Sequence, residues 1–180
     1  EAATGDCPHY VVLLDGVPYS LVKELYDQGR FRFFPPPSKL ISSFPSMTDL
    51  AYCRIFGLPG PRGWEALWYD RASGRRSCGN WVYLTGGNAP WQKYVDYRAS
   101  MLLDPIGYLS PNFLFSGEWR GLERTFSRRD AGTVLGYSVG TATVGTRQGR
   151  EGLVRCLERI DDLCERIMYL RHGRCRISML

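Results

Sequence analysis

The sequence predicts an α/β fold, a mostly parallel sheet with helices on both faces. Residues 10–14 are a short apolar run rich in β-branched residues, as buried parallel strands are, and 134–139 reads as another strand. Between and after them lie helical patterns, the clearest carrying Leu153, Leu157, Ile160, Cys164 and Ile167 at steps of three and four. Strands alternating with helices imply parallel pairing through right-handed crossovers. The 180 residues suit a single domain over 1–180, or the N-terminal part of one larger domain.

The elements follow in order. The strand at 10–14 ends at Asp15-Gly16, a turn signal. Residues 20–29 form a helix with Leu21, Val22 and Leu25 on one face and Gly29 as its stop. Pro35-Pro36-Pro37 breaks any helix, after which 40–43 reads as a short strand and 48–56 as a second helix. The stretch from 57 to 130 is dense in Trp, Tyr, Gly and Pro without a sustained period, which predicts short elements and long loops. Residues 140–149 read as a glycine-rich connection between the 134–139 strand and the long helix. On that helix Glu151 and Arg155, and Asp162 and Arg166, stand as acid-before-base pairs at i,i+4. Gly173 is placed as its C-cap. Residues 174–180 form a last, inner strand, beside the 10–14 strand or one position removed.

Composition bounds the function. Hydrophobic residues at 44% and charged residues at 23% are ordinary for a folded domain and exclude disorder. A net charge of +5 favours anionic partners such as phosphate esters, nucleic acid or acidic surfaces. The 20 Arg and 3 Lys are dispersed along the chain, which suits a solvated surface better than a nucleic-acid stripe. No apolar run reaches the roughly 18–20 residues of a membrane span. Six Cys allow up to three disulfides in an exporting compartment, slightly favouring a periplasmic or extracellular location. Cys156 and Cys164 are eight residues apart on one helix, about 12 Å, too far to bridge, and read as buried thiols.

Chemistry concentrates at two places. Asp15 ends a strand, on the side where open α/β sheets bind ligands. Thr48 opens a helix, where backbone N–H groups attract anions. Taken singly, Asp15-Gly16 also reads as an ordinary turn, and Ser46 or Thr48 as a helix N-cap.

Taken together, Val11-Val12-Leu13-Leu14-Asp15-Gly16 and, about thirty residues on, Phe44-Pro45-Ser46-Met47-Thr48 resemble the opening of the nucleotide pyrophosphatases and phosphodiesterases of the alkaline phosphatase superfamily. Gly136 to Thr146 is similar to that family's strand leading into Thr-Asp-x-x-Gly-His. The long helix and Arg176-Ile177-Ser178-Met179-Leu180 resemble the approach to its Ser-Asp-His-Gly. The resemblance implies an alkaline-phosphatase-like fold, not closed within this chain, and a two-metal zinc site. It also implies Asp15 as a metal ligand and Thr48 as metal-bound nucleophile, the two facing one pocket and acting on phosphate-ester substrates.

The departures matter as much. Where the family carries the Asp and His of the second motif, this chain has Ala142 and Thr146, which cannot replace a carboxylate and an imidazole on zinc. Ala51 stands where the family places a phosphate-contacting Asn. His9 and His172 fit no ligand position and read as boundary or surface residues. The expectation is a hydrolase-like domain that is incomplete or inactive as this chain, needing a chain continuation, a second polypeptide or self-association. Two rivals stand beside it: a non-catalytic binding module using the aromatics Trp64, Trp68, Tyr69, Trp81 and Trp91, more often core than contact surface, and a basic nucleic-acid binder supported by charge alone.

Overall fold

A computed structural model describes residues 7–42, 44, 46–60, 67–78, 89–99, 107 and 109–180. The chain divides into two compact units, residues 1–40 with 95–180, and residues 41–94.

The first unit is a mixed helix and strand structure around a three-stranded parallel sheet. Its elements are β1 (His9–Leu14), α1 (Tyr19–Asp27), α3 (Pro111–Arg128), β4 (Thr133–Ser138), α4 (Gly140–Leu170) and β5 (Arg176–Met179). The sheet order is β4-β1-β5, with His9 level with Thr133 on one side and with Arg176 on the other. β1 is central and apolar after His9 because both of its faces are covered: Tyr10, Val12 and Leu13 are fully buried, and Val11 and Leu14 nearly so. Tyr10, Val12 and Leu14 share one core cluster with Leu21 and Leu25 of α1, Phe115, Leu122 and Phe126 of α3, and the apolar stripe of α4. The outer edge of β4 is occupied by residues 96–97, whose N–H groups donate to Leu135 O, while Tyr137 N–H donates to Tyr97 O.

The second unit holds α2 (Thr48–Ile55), an antiparallel hairpin of β2 (Leu67–Asp70) and β3 (Arg75–Cys78), and a 3-10 turn, Pro90–Tyr94. Its α2 packs on that turn through Tyr52 and Trp91, whose ring centroids are 4.8 Å apart.

Several expectations change. Residues 40–42 are not a strand but irregular, exposed chain, and Ser43 lies outside the described residues. Leu40 and Ile41 are well exposed, so nothing there rewards pairing. The middle of the chain is not only loops and short elements, because it contains the 18-residue α3. Its stripe of Leu114, Phe115, Glu118, Leu122 and Phe126 was obscured by a buried carboxylate in a core position and by Gly117 and Gly121. Residues 140–149 are helical rather than a glycine-rich connection. Only Gly149 leaves the helix, at φ 65 and ψ −155, a conformation open to a residue without Cβ.

The two i,i+4 pairs on α4 also give way to longer-range contacts. Arg155 donates to Gln148, Arg166 pairs with Glu123 of α3, and Asp162 lies 4.0 Å from Arg30. The last strand does lie beside β1, but at the sheet's edge and not inside it: among the described residues β5 pairs with β1 alone.

Candidate functional site

Asp15 follows the last residue of β1, so the parallel ladder delivers it to the carboxyl end of the central strand. Its backbone is held from β4 and α4. Asp15 N–H donates to Ser138 O at 3.1 Å, and the Thr141 hydroxyl donates to Asp15 O at 2.7 Å. Its side chain shares a face of the sheet with Leu13, two residues back. Leu13 is level with Tyr137 on β4, and the Tyr137 hydroxyl reaches along that face to donate to Asp15 Oδ2 at 2.9 Å.

Gly16 turns the chain away at φ 68, against Ala142 near the start of α4. A Cβ at position 16 would come within 2.8 Å of Ala142 Cβ, so this turn requires glycine twice over, for its dihedral and for the approach. From this contact a groove of about 490 Å³ runs between α1 and α4, lined by Gly16, Leu21, Ala142, Thr146, Arg150 and Leu153 among others. Glu24 and Arg150 form an ion pair there, with both side chains substantially exposed.

The other face of the β4–α4 junction carries a second polar device. Glu118 on α3 is 1% exposed, and its carboxylate accepts from Ser138 Oγ at 2.5 Å, Gly140 N–H at 2.8 Å and Val139 N–H at 3.2 Å. The N-terminus of α4, whose free N–H groups would suit a phosphate, is thus occupied by the protein's own anion. A Cβ on Gly140 would meet Glu118 Oε2 and the Phe115 backbone, so glycine lets the carboxylate come this close.

In the second unit, Thr48 is the first residue of α2, as the motif predicts. The N-cap is Met47, without a side-chain capping bond, and the Ser46 hydroxyl is 2.8 Å from Ser42 Oγ. Pro45 of the same motif lies outside the described residues. The next residue, Asp49, is buried and accepts from Trp91 Nε1 at 2.7 Å. Of the aromatics considered as a contact surface, Trp91 is core at 1% exposure and Tyr69 is exposed. Trp64, Trp81 and the Trp68 side chain fall outside the described residues.

The structure therefore brings together Asp15, Gly16, Ala142 and Thr146, three of them groove-lining, within the first unit, and carries Thr48 on the second. His9 is at the opposite end of β1 from Asp15, with Nε2 2.9 Å from Ser178 Oγ. Burial, and then Arg176, lower its pKa. His172 sits in the turn after α4, and neither histidine lines the groove. Among the described residues no group of three His, Cys, Asp or Glu side chains could hold a metal ion, and the groove that begins at Gly16, the neighbour of Asp15, offers an alanine and a threonine at the other two motif positions. These donors do not fit a two-zinc site. Tyr137 and Glu118 are the polar residues that sequence reasoning missed. The only trace of Glu118 in the sequence is a carboxylate inside an apolar stripe, and Tyr137 leaves none, since cross-strand register alone places it beside Asp15.

No helix among the described residues is long and apolar enough to cross a membrane. Comparison of the chain with protein-family models, with curated proteins and with solved structures returned no match in any of the three.

Proposed function

We propose that this chain is a domain of the metal-dependent phosphate-ester hydrolase kind, built on an alkaline-phosphatase-like plan, whose own ligand set is too small for turnover. One observation carries the reading. Asp15 ends the central strand of a parallel sheet, and Ala142 and Thr146, from a motif more than 120 residues away, line the groove that starts at its neighbour Gly16. Adjacent parallel strands bring the residues that follow them together at the carboxyl end, the side where open α/β sheets bind ligands, and the placement of these motif positions there supports the reading. In this reading Asp15 would hold a metal, Thr48 would be both nucleophile and ligand, and zinc would supply Lewis acidity once the ligand set is complete. The missing ligands come from outside the chain, by its continuation, by a second polypeptide or by self-association along the edge of β5 that is unpaired among the described residues.

The test restores what is missing. Zinc titration by calorimetry and an assay on a nitrophenyl phosphate ester are run on the chain and on Ala142→Asp/Thr146→His. The chain alone should bind zinc weakly and show no turnover. The double variant should bind zinc at least tenfold more tightly, and should lose that gain when Asp15→Ala is added. Tight zinc binding by the unaltered chain with hydrolysis that Thr48→Ala abolishes would mean that the ligand set was misread. No gain in the double variant would disconnect the groove from any metal site.

A second reading is favoured by the groove itself, which persists although its ligand positions are alanine and threonine. On this reading the domain keeps a non-catalytic binding role for phosphate esters. Phosphate-ester binding unaffected by Thr48→Ala and by chelators would support it over the enzyme.

A further inference from the structure

We propose that the strap after α1, residues 33–40, is a polyproline-II recognition segment for a partner domain that has an aromatic-lined groove with carboxylates beside it. The backbone carries the argument. The rings of Pro35, Pro36 and Pro37 hold φ at about −65°, and Phe34, Pro35 and Pro36 each stand before a proline, which keeps them out of the helical region. Polyproline II is what remains for Pro35 and Pro36. Residues 35–42 are neither helix nor strand, as this requires.

Burial follows the threefold repeat of that helix. Phe34 and Pro37, one turn apart, are half-buried, whereas Pro35 and Pro36 between them, and Ser38, Lys39 and Leu40 after them, are exposed. One ridge faces the protein, and two face outward, Pro35 with Ser38 and Pro36 with Lys39. The strap is also anchored where it begins: Phe31 is buried, Phe34 N–H donates to its carbonyl oxygen at 3.0 Å, and the two rings meet edge to face at 6.1 Å beside the main core. A stiff helix fixed at one end loses little conformational freedom on binding, which is what aromatic grooves exploit in polyproline ligands.

The side chains around the prolines define the rest of the partner. Phe33 and Leu40, 56% and 68% exposed, flank the prolines with apolar surface. Phe33 also borders a groove of about 790 Å³ that Met168 and the exposed Tyr169 line, so a partner seated on the strap has apolar footing beyond it. Lys39 supplies the charge. It follows Pro36 on the same outward ridge by one turn, about 9 Å at a rise of about 3.1 Å per residue, and so calls for carboxylates at that distance from the aromatic groove. Arg32 is not the equivalent cation, because its Nε is already engaged with Gly29 O at 2.7 Å.

The experiment titrates the full 180-residue chain, by calorimetry, with a panel of isolated SH3, WW and EVH1 domains chosen with and without carboxylates beside the groove. Binding to a domain of the acidic kind, competed away by a synthetic proline-rich peptide, is the expected result. Pro35→Ala/Pro36→Ala should weaken it at least about tenfold, because alanine frees φ and removes both rings. Lys39→Ala should weaken it about two- to fivefold, the worth of an exposed charge pair. All three positions are exposed, so thermal melts of the variants should match the wild type and the losses report on the strap and not on folding. No binding across the panel, or binding that the double proline variant leaves unchanged, would overturn the proposal. Binding that salt abolishes and the prolines do not affect would overturn it too, since Lys39 would then act as charge alone.

Discussion

The Tyr137 hydroxyl donates to the Asp15 carboxylate, at 2.9 Å, from one parallel strand to the end of its neighbour. The bond orients the Asp15 carboxylate at the carboxyl end of β1. It depends on register, because Tyr137 is level with Leu13 and Asp15 is the next residue on the same face. Tyr137→Phe should lower unfolding free energy by about 1.5–3 kcal/mol, the usual worth of a hydrogen bond to a charged group. A double-mutant cycle with Asp15→Asn in urea denaturation measures the coupling, and a value near zero would show that the pair does not orient Asp15.

Glu118 closes the N-terminus of α4 with three hydrogen bonds from within the core. Glu118→Ala strands a buried hydroxyl and two N–H groups, and should cost about 3–5 kcal/mol. Glu118→Gln keeps an acceptor oxygen in place and should cost less than half as much. Urea midpoints for the two variants decide. Equal losses would mean that the carboxylate's hydrogen bonds are not what holds the junction.

Asp161 gives stability a pH dependence. It is 2% exposed, its Oδ1 has no partner among the described residues, and it accepts from the Phe31 backbone N–H. Burial, the largest influence, raises its pKa above the unfolded value, while Phe31 and the nearby Arg30 and Arg32 oppose the rise and Asp162 adds to it. With the folded value higher, the contribution of Asp161 is fully present below the unfolded pKa of about 3.9. It is lost as pH rises from there through the folded pKa, because the unfolded chain ionises more readily. Asp161→Asn removes this slope. The stability of the variant minus that of the wild type should therefore grow from pH 4 to pH 8 in urea titrations. A constant difference would show that Asp161 titrates normally.

Arg171, just beyond α4, ties three elements together. Its Nε donates to Tyr10 Oη at 2.8 Å, and one terminal nitrogen reaches the carbonyls of Phe126, Ser127 and Arg129 at the end of α3. Arg171→Ala should cost about 2–3 kcal/mol, since those carbonyls and the Tyr10 hydroxyl lose a charged donor. Arg171→Lys should recover little, because a point charge cannot serve a fork of acceptors. Thermal melts of the two variants provide the measurement, and a fully stable Lys variant would reduce the role of Arg171 to charge.

Local pattern carried much of this molecule. The apolar run before Asp15 and the Leu153 to Ile167 stripe became the expected elements, because burial on one face or on both leaves a period or a run that needs no partner to be read, whereas the cap expected at Gly173 falls two residues earlier, at Arg171. Thr48 at a helix start and the burial of Cys156 and Cys164 were legible for the same reason. The helix over 111–128 was not, because Glu118 sits in its core stripe and is tolerable only once Ser138, Val139 and Gly140 arrive from another part of the chain to bond it. The i,i+4 pairs were legible but wrong, since exposed Arg side chains are long enough to choose partners on other elements that sequence spacing does not reveal. By itself the sequence determined that a strand ends at Asp15 and that a helix begins at Thr48. Only the tertiary structure decided that Tyr137 would hold Asp15, that Ala142 and Thr146 would line the groove beside it, and that β5 would lie at the edge, because register and strand order are relations between segments far apart in the chain.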